Sequence, residues 1–519
     1  MSPSGVFFWH SQSGPTNIFP LAEALDMFDG PDFFVSGPWT RIHRKGGEIM
    51  NALRMGKKDI RREFVRYALP SVAGMLVSCL YTVVDGIFVG RGVGDLALGG
   101  VNIVFPYIML VIAVTMLVAI GGANLASFQR GRGNVGAANS IFSQAAVLLA
   151  LAGGALFAVA FFFSRETCVL LGADADLLPH AETYLRTMAP FVAVQTIGLG
   201  VGIFVRNDNA PNFVMLGTVS GAVVNIVLDY VFIMVWDWGI EGAAIATGIG
   251  LMLEFCVYVG HIVFKRGELR LLKPVFSAAE TGKLLYNGIA SFLMEFCQSA
   301  IAISFNIVII RHIGPLGVAA YSVVNYLCSS FNMILIGITQ GAQPILSFNH
   351  GKGDVEAVKG IHRLGAGVCL ASSCVLAVVC LRYGSALASL FSGDGGGEMV
   401  ALATRMLFYF CLAYAPIGLT LMNILFFQTT EREGRSVFLS VLRCVGFVQV
   451  FLLVLPGVWG ERGIYWSFLF GETVNWAISL ALYLAVAEPE RAYPREASPV
   501  YVPVTSASGR LAARESARF

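Results

Sequence analysis

The sequence contains little charge: Asp, Glu, Lys and Arg make up 13% of its 519 residues, whereas 56% of the residues are hydrophobic. A soluble globular protein carries about 25% charged residues. A chain so poor in charge cannot cover a water-facing surface, and its mean hydropathy of +0.71 indicates an integral membrane protein. The formal net charge of +2 provides no basic surface for a nucleic acid, so none is expected as a partner.

Motifs of catalysis and metal binding are also missing from the sequence. The ten cysteines form no CxxC pair and are scattered through apolar segments, which is typical of buried thiols. The sequence lacks the DDxxD pattern of prenyl-transfer enzymes and the GxSG and HExxH patterns of intramembrane proteases. It therefore predicts a protein that is not an enzyme and that needs no cofactor.

Long apolar segments are abundant, and a membrane-spanning helix needs about 20 such residues. Charged or turn-prone stretches such as GRGVGD (90–95) and KRGELRLLKP (265–274) separate these segments. The predicted spans are 64–90, 97–123, 138–163, 182–205, 211–236, 240–264, 283–311, 316–345, 358–382, 399–428, 436–457 and 463–487. The sequence thus predicts an all-α integral membrane fold with twelve transmembrane helices.

The distribution of basic residues predicts the orientation of these spans. Loops that follow even-numbered spans are richer in Lys and Arg than the others, and the loop at 265–274 alone holds four. Because such loops stay in the cytoplasm, both termini are predicted to be cytoplasmic. Residues 1–60 are expected to form a disordered N-terminal tail, and residues 489–519 a C-terminal tail.

An internal repeat divides the apolar part of the chain into two halves. SFQRGRGNV (127–135) matches SFNHGKGDV (347–355), WGIEG (238–242) matches WGERG (459–463), and GDLALGGVN (94–102) resembles GVAAYSVVN (317–325). Because all three pairs lie 220 to 223 residues apart, they indicate a duplicated unit of six helices. We expect an N-lobe at 61–270 and a C-lobe at 271–488, related as parallel repeats around a central cavity.

Ionisable side chains inside apolar helices are costly, about 3 kcal/mol each on insertion scales, and so they point to function. Asp85 in the first span and Asp229 in the fifth are both predicted to lie roughly 10 Å below the outer surface. Asn225 shares a helix face with Asp229, and Thr247 in the sixth span is at the same depth. These hard oxygen donors predict a site for Na⁺ or a proton, with no other metal.

The second half of the repeat provides a control for this prediction. The positions that correspond to Asp85, Asn225, Asp229 and Thr247 are occupied by Val308, Gly446, Val450 and Phe468. The C-lobe therefore builds the same six-helix bundle without these polar groups, which favours a functional role for them. Interhelical hydrogen bonds that merely stabilise packing, typically ~0.6 kcal/mol each, are the alternative.

Other polar residues in the spans are candidates for the central cavity. Glu295, in the seventh span, is expected to face the place where the lobes meet, together with Gln298, Asn306 and Gln340. The role of Glu254, in the sixth span, stays open. Pro70 interrupts the hydrogen-bond ladder of the first span and is either a bending point or a static kink.

The chain resembles the multidrug and toxic compound extrusion (MATE) transporters over about residues 60–488. The resemblance rests first on PSVAGMLVSCLYTVVDGIFVGRGVGDLALGGVN (70–102) and on SFQRGRG (127–133), which is repeated in the second half of the chain. It rests also on RNDNAPNFVMLGTVSGAVVNIVLDYVFI (206–233) followed by GIEGAAIAT (239–247). Within the family it is most similar to the bacterial multidrug exporters. The resemblance implies a cation site at Asp85, Asn225, Asp229 and Thr247, and bending at Pro70.

The family resemblance also implies a function, namely export of amphiphilic, often cationic compounds by antiport with H⁺ or Na⁺. It further implies a monomer in the bacterial inner membrane. A flippase for lipid-linked precursors, from the same superfamily, is the main alternative, but it should have a basic cavity, and Arg443 is the main interior basic residue. A non-transporting sensor and a transporter of the major facilitator type are further alternatives.

Overall fold

In the computed structural model, residues 56–274, 276–389 and 397–487 are described, and they contain no β-strand. These residues include twelve helices that are long and apolar enough to cross a membrane. The helices are α1 (Lys57–Gly92), α2 (Asp95–Gly131), α3 (Val135–Phe162), α4 (Leu178–Asn207), α5 (Pro211–Asp229), α6 (Gly239–Val263), α7 (Ala278–His312), α8 (Pro315–Lys352), α9 (Val355–Ser389), α10 (Gly397–Thr429), α11 (Glu433–Val445 and Phe447–Trp459) and α12 (Glu461–Ala487). The predicted N-terminal and C-terminal tails lie almost entirely outside the described residues.

Several helices are longer than their apolar segments. Helices α1, α2 and α8 contain 36, 37 and 38 residues, compared with the roughly 20 that a bilayer requires. Hydropathy detects only the apolar part of such a helix, and the helical conformation continues into the polar flanks. Helix α8, for example, runs on to Lys352 and ends where Gly353 adopts a left-handed conformation with φ of +78°.

The helices form two bundles of equivalent organisation. In the N-lobe, α4 packs against α2, α3 and α6; in the C-lobe, its counterpart α10 packs against α8, α9 and α12. These two helices are the most enclosed spans. In α4, 61% of an apolar stretch of 18 residues is buried, and in α10 the share is 78%. The arrangement confirms the predicted fold of two six-helix bundles.

The backbone repeats with the same spacing as the sequence motifs. Glycines with positive φ recur 220 or 221 residues apart, in the pairs Gly94 and Gly314, Gly133 and Gly353, and Gly239 and Gly460. Each pair occupies the same connection in the two lobes. The duplication therefore extends to turns with positive φ, a geometry that residues other than glycine rarely adopt.

The two lobes meet where α2 crosses α8. A Cβ atom added to Gly131 would lie 2.0 Å from the carbonyl oxygen of Phe348, and one added to Gly351 would lie 2.0 Å from that of Phe128. Gly131 and Gly351 are repeat counterparts, as are Phe128 and Phe348. The SFxxG motif thus brings the two backbones together on the pseudo-symmetry axis, at what we term the closed end of the bundle.

A polar cluster reinforces the closed end. The Asn124 side chain donates to Asn287 Oδ1 over 2.8 Å and accepts a hydrogen bond from Gln343 Nε2 over 2.5 Å. Arg206, on α4, donates to Gln340 Oε1 on α8 over 2.7 Å. These hydrogen bonds link N-lobe helices to C-lobe helices, and so they hold the lobes together at this end.

Candidate functional site

Four polar residues of the N-lobe come together on α1, α5 and α6, and we call them the oxygen cluster: Asp85, Asn225, Asp229 and Thr247. Asn225 Nδ2 donates to Thr247 Oγ1 over 3.3 Å. The Asp85 and Asp229 side chains face each other across the α1–α5 contact. Asn225 is 2% exposed and Asp229 is 0% exposed. The structure therefore places the four residues that the sequence singled out in one group, in which Asp85 and Thr247 are half-buried.

Four oxygen atoms of this cluster lack hydrogen-bond partners. Asp85 Oδ1, Asn225 Oδ1 and both carboxylate oxygens of Asp229 are buried without a donor among the described residues. Burying such acceptors is unfavourable unless something compensates them. A proton or a Na⁺ ion would satisfy these oxygens, and the donor set is the kind that hard cations prefer. The group thus has the ligands that a hard cation requires.

The backbone changes its geometry directly after Asp229. Helix α5 ends at this residue, and the chain continues as a π-helical turn over Tyr230–Val235. Such turns are rare in proteins, and those that do occur are often found at functional sites. Behind the turn, Phe232 stacks on Trp236 and Trp238, with ring centroids 5.2 and 4.8 Å away. Both tryptophans are exposed, so this aromatic group lies at the surface of the lobe just after Asp229.

Two tyrosines near the oxygen cluster escaped the sequence analysis. The Tyr184 hydroxyl, on α4, faces Thr247 and lies within electrostatic range of both aspartates. Tyr81, one turn before Asp85 on α1, lies within range of that carboxyl group. The spacing of Tyr81 was visible in the sequence, but the contact of Tyr184 depends on how α4 packs.

The equivalent place in the C-lobe is apolar. Phe468, the counterpart of Thr247, stacks on Phe410 with ring centroids 4.5 Å apart and an interplanar angle of 18°. Phe305 meets Phe468 edge-on over 5.9 Å. Aromatic packing therefore supports the bundle where the N-lobe carries carboxylates, so the polar groups are not required for the fold.

A cavity of about 130 Å³ opens between the lobes on the C-lobe side. Helix α8 supplies the largest share of its lining, and α2, α7, α10 and α11 complete the wall. Its polar side chains are Ser291, Glu295, Asn332, Thr339, Gln340, Gln343, Gln428 and Arg443, and its apolar ones are Met116, Ile120, Met294, Ile336, Leu421, Ile424 and Leu425. This mixture suits an amphiphilic ligand.

Only some of the residues that were predicted to line the cavity do so in the structure. Glu295 and Gln340 line it. Asn306 is exposed and is not part of this lining. The side chain of Gln298 lies outside the described part of the structure. Among the described side chains, none is hydrogen-bonded to the Glu295 carboxylate.

The positive charge in the cavity is neutralised internally. Arg443 Nε donates to Glu472 Oε1 over 3.1 Å, and the two residues are 4% and 0% exposed. Arg206 is a second buried arginine, 7% exposed. It was not identified from the sequence, in which Arg443 is the main interior basic residue. Since Arg443 is paired, Glu295 is the one ionisable side chain of the described cavity lining that has no counter-charge.

Breaking this pair should destabilise the C-lobe. We expect Glu472→Gln to lower the stability by about 3–5 kcal/mol, because Arg443 would remain buried without a counter-charge. Glu398→Gln, at an exposed position at the start of α10, is the matched control. Thermal unfolding in detergent measures the difference, and an unchanged melting temperature for Glu472→Gln would contradict this account.

Pro70 lies inside α1, close to the crossing of α1 with α8. A Cβ atom on Gly341 would lie 2.5 Å from Ala68 Cα, and one on Gly337 would lie 2.6 Å from Val72 Cα. Helix α1 remains continuous through Pro70, although proline removes one hydrogen bond of the ladder. The place where α1 lacks a backbone hydrogen bond thus coincides with its contact with α8, a helix that lines the cavity.

Comparisons with known proteins agree with this architecture. The MatE family model matches residues 70–231 and 290–453, more than half of the chain. The multidrug export protein MepA of Staphylococcus saprophyticus is 24% identical over 441 residues, which cover 82% of this chain and 94% of that protein.

Solved structures show the same fold. An outward-facing multidrug resistance MATE family transporter of the MOP superfamily superposes with a TM-score of 0.78 at 21% identity, covering 84% of this chain and 97% of that one. A MOP superfamily transporter from Pyrococcus furiosus, described with a binding pocket of reversed polarity that suggests a different function, also gives 0.78, at 20% identity and with coverages of 84% and 97%. The chain therefore belongs to the MatE family of multidrug and toxic compound extrusion transporters, which are multi-pass membrane transporters and not enzymes.

Proposed function

We propose that the protein exports amphiphilic, often cationic compounds by antiport with H⁺ or Na⁺. The oxygen cluster is the observation that carries this proposal. Its carboxylates are buried without partners in one lobe, and the other lobe builds the same fold without them. A membrane protein has no structural need for such a group, whereas an antiporter requires a cation site.

The charge of the loops indicates how the protein is oriented in the membrane. With the basic loops in the cytoplasm, the closed end is cytoplasmic and the lobes are in an outward-facing arrangement. Both termini then lie in the cytoplasm, and the membrane is the inner membrane of a bacterium. We infer that the protein acts as a monomer, that it contacts membrane lipids and no nucleic acid, and that it needs no cofactor besides its coupling ion.

The contact between α1 and α8 provides a route from the cation to the cavity. A cation that enters the cluster draws the carboxyl groups of Asp85 and Asp229 together, and Asp85 moves with α1. Pro70 allows α1 to bend where Ala68 packs on Gly341. Since α8 also carries Gln340 and much of the cavity wall, the bend deforms the cavity and expels the substrate.

The charge of the cavity indicates the class of substrate. Glu295 contributes one negative charge, while the positive charge of Arg443 is cancelled by Glu472. A cationic amphiphile fits this balance, in line with multidrug export by the relative MepA. The Pyrococcus furiosus relative shows that the same fold can hold a pocket of other polarity, so the substrate follows from the side chains of the cavity rather than from the fold.

Replacing Glu295 should therefore discriminate between ligands by charge. We expect Glu295→Gln to weaken the binding of the cationic dye ethidium about tenfold, equivalent to ~1.4 kcal/mol for one charge interaction. A neutral amphiphile should bind as before, and Glu398→Gln should leave both affinities unchanged. Fluorescence titration of purified protein measures this, and an equal loss for both ligands would count against a charge effect.

A flippase for lipid-linked precursors is the second candidate. Its pyrophosphate headgroup would need free positive charge in the cavity. Among the described residues that line the cavity, Arg443 is the only Lys or Arg, and it is bound to Glu472. Arg206 is engaged with Gln340 at the closed end. The cavity thus favours the exporter.

Transport in proteoliposomes tests the proposed function. A pH gradient and a Na⁺ gradient are imposed separately, and the efflux of ethidium is followed by fluorescence. Efflux that follows one gradient would support antiport and identify the coupling ion. Efflux under neither gradient, combined with flipping of a lipid-linked pyrophosphate, would instead favour the flippase.

A further inference from the structure

Glu254 on α6 is a half-buried acid that the cycle described so far does not use. It is about two turns from Thr247 along the same helix, towards the closed end, or roughly 10 Å away. Thr218 Oγ1 and the Tyr258 hydroxyl both donate to Glu254 Oε1, over 2.9 and 2.5 Å. The carboxylate is therefore stabilised as an anion by two hydroxyl groups inside the N-lobe.

The environment of Glu254 can adapt to the arrival of a proton. The Tyr258 hydroxyl is also 3.1 Å from the carbonyl oxygen of Val214, so it has a second acceptor on α5. When Glu254 is neutral, the Tyr258 proton can turn towards Val214 and remain bonded. Neither protonation state of Glu254 then leaves the phenol without a partner.

Each helix packed on this part of α6 presents a polar group to the Glu254 region. Helix α1 presents Tyr81, which lies within electrostatic range of both Glu254 and Asp85. Helix α4 presents Arg206, which lies within range of Glu254 and Tyr258. Helix α5 presents Thr218. Tyr81 is therefore near both the oxygen cluster and Glu254, and Arg206 is near Glu254 while it contacts Gln340 at the lobe interface.

Arg206 makes the protonation state of Glu254 relevant to lobe closure. Its guanidinium group is 7% exposed and donates to Gln340 Oε1 across the interface over 2.7 Å. A buried cation is stable only beside compensating negative charge. Neutralising Glu254 removes that charge from Arg206 and so weakens its contact with Gln340, a residue of the cavity wall.

We propose that Glu254 is an internal proton acceptor in the antiport cycle, and that its protonation opens the cytoplasmic end by releasing Arg206 from Gln340. In this step Asp85 gives up its proton and Glu254 takes one up, so that one proton has moved inward. The proposal rests on the proposed antiport and assigns H⁺ as the coupling ion. It also gives a function to a residue whose role the sequence left open.

Distance measurements at the closed end test this proposal directly. Spin labels replace the exposed residues Arg132 and Lys352, at the ends of α2 and α8. In the wild-type background, we expect the distance between the labels to lengthen as the pH is lowered. Glu254→Gln should give the long distance at every pH, and Arg206→Met should give it with Glu254 intact. Glu241→Gln, exposed on the same helix, should behave as wild type.

Transport assays complete the test. We expect Glu254→Gln to reduce proton-driven ethidium efflux by on the order of 10²-fold, as for the loss of a proton-transfer group, while ethidium binding is retained. A pH-dependent distance in Glu254→Gln, normal efflux by this variant, or loss of its ethidium binding would overturn the proposal. Wild-type efflux driven by Na⁺ alone would also overturn it but leave antiport intact, whereas efflux under neither gradient would refute the antiport itself.

Discussion

Asp229→Asn should abolish ion-driven export while the protein remains folded in the membrane. A gradient of one pH unit supplies about 1.4 kcal/mol per proton, enough to sustain roughly a tenfold gradient of substrate. Without the Asp229 carboxylate, the oxygen cluster has one acid in place of two, and the cation loses its main ligand. We therefore expect the substrate gradient in proteoliposomes to fall to that of protein-free vesicles.

The control for this variant is Asp237→Asn. Asp237 is exposed in the connection between α5 and α6, so the same substitution is made eight residues further on without touching the cluster. Its efflux should equal that of wild type. Normal efflux by Asp229→Asn, with comparable amounts of protein in the membrane, would show that the oxygen cluster does not drive export.

Gly351→Ala should prevent the closed end from forming. The added Cβ would lie 2.0 Å from the carbonyl oxygen of Phe128, a backbone atom that cannot turn aside. Overpacking of this kind costs about 1–3 kcal/mol, which shifts the balance of conformations by roughly 5- to 150-fold away from the outward-facing state. Transport requires both conformations, so ethidium efflux should fall by a similar factor.

The matched control is Gly367→Ala on α9, where an added Cβ meets no atom within 4 Å. The distance between labels at 132 and 352 should lengthen in Gly351→Ala and remain at the wild-type value in Gly367→Ala. If Gly351→Ala kept both the short distance and normal efflux, close contact between α2 and α8 could not be what seals this end.

The oxygen cluster was predictable because helical geometry fixes depth. Asp85 and Asp229 lie at similar distances from the outer ends of their predicted spans, 64–90 and 211–236, and Asn225 is one turn from Asp229, so neighbouring helices had to bring them to one level. The repeat then showed that the C-lobe lacks these groups. The identity of the cation could not be predicted from the sequence, because the same oxygen atoms suit H⁺ and Na⁺.

Other features depended on packing that no sequence pattern records. Tyr184 and Arg206 belong to α4, which is enclosed on several sides, so apolar periodicity does not identify the face that meets Thr247 or Gln340. The SFxxG motif was visible as a repeat, but its purpose, a backbone crossing at Gly131 and Gly351, required both lobes in place. Asn306 was assigned to the cavity from its position near the lobe interface, yet the rotation of α7 leaves it outside the lining.

The central claim is that a cation in the oxygen cluster and a substrate in the cavity weaken each other's binding. Such coupling is reciprocal, so it can be measured at equilibrium without a gradient. Ethidium binding to purified protein is titrated at a series of pH values and Na⁺ concentrations, for wild type and Asp229→Asn side by side. We predict that the wild-type dissociation constant rises about tenfold as the coupling cation binds, equivalent to ~1.4 kcal/mol, and that the variant shows no such rise. A wild-type affinity independent of both ions, or a variant that responds as wild type does, would contradict the account.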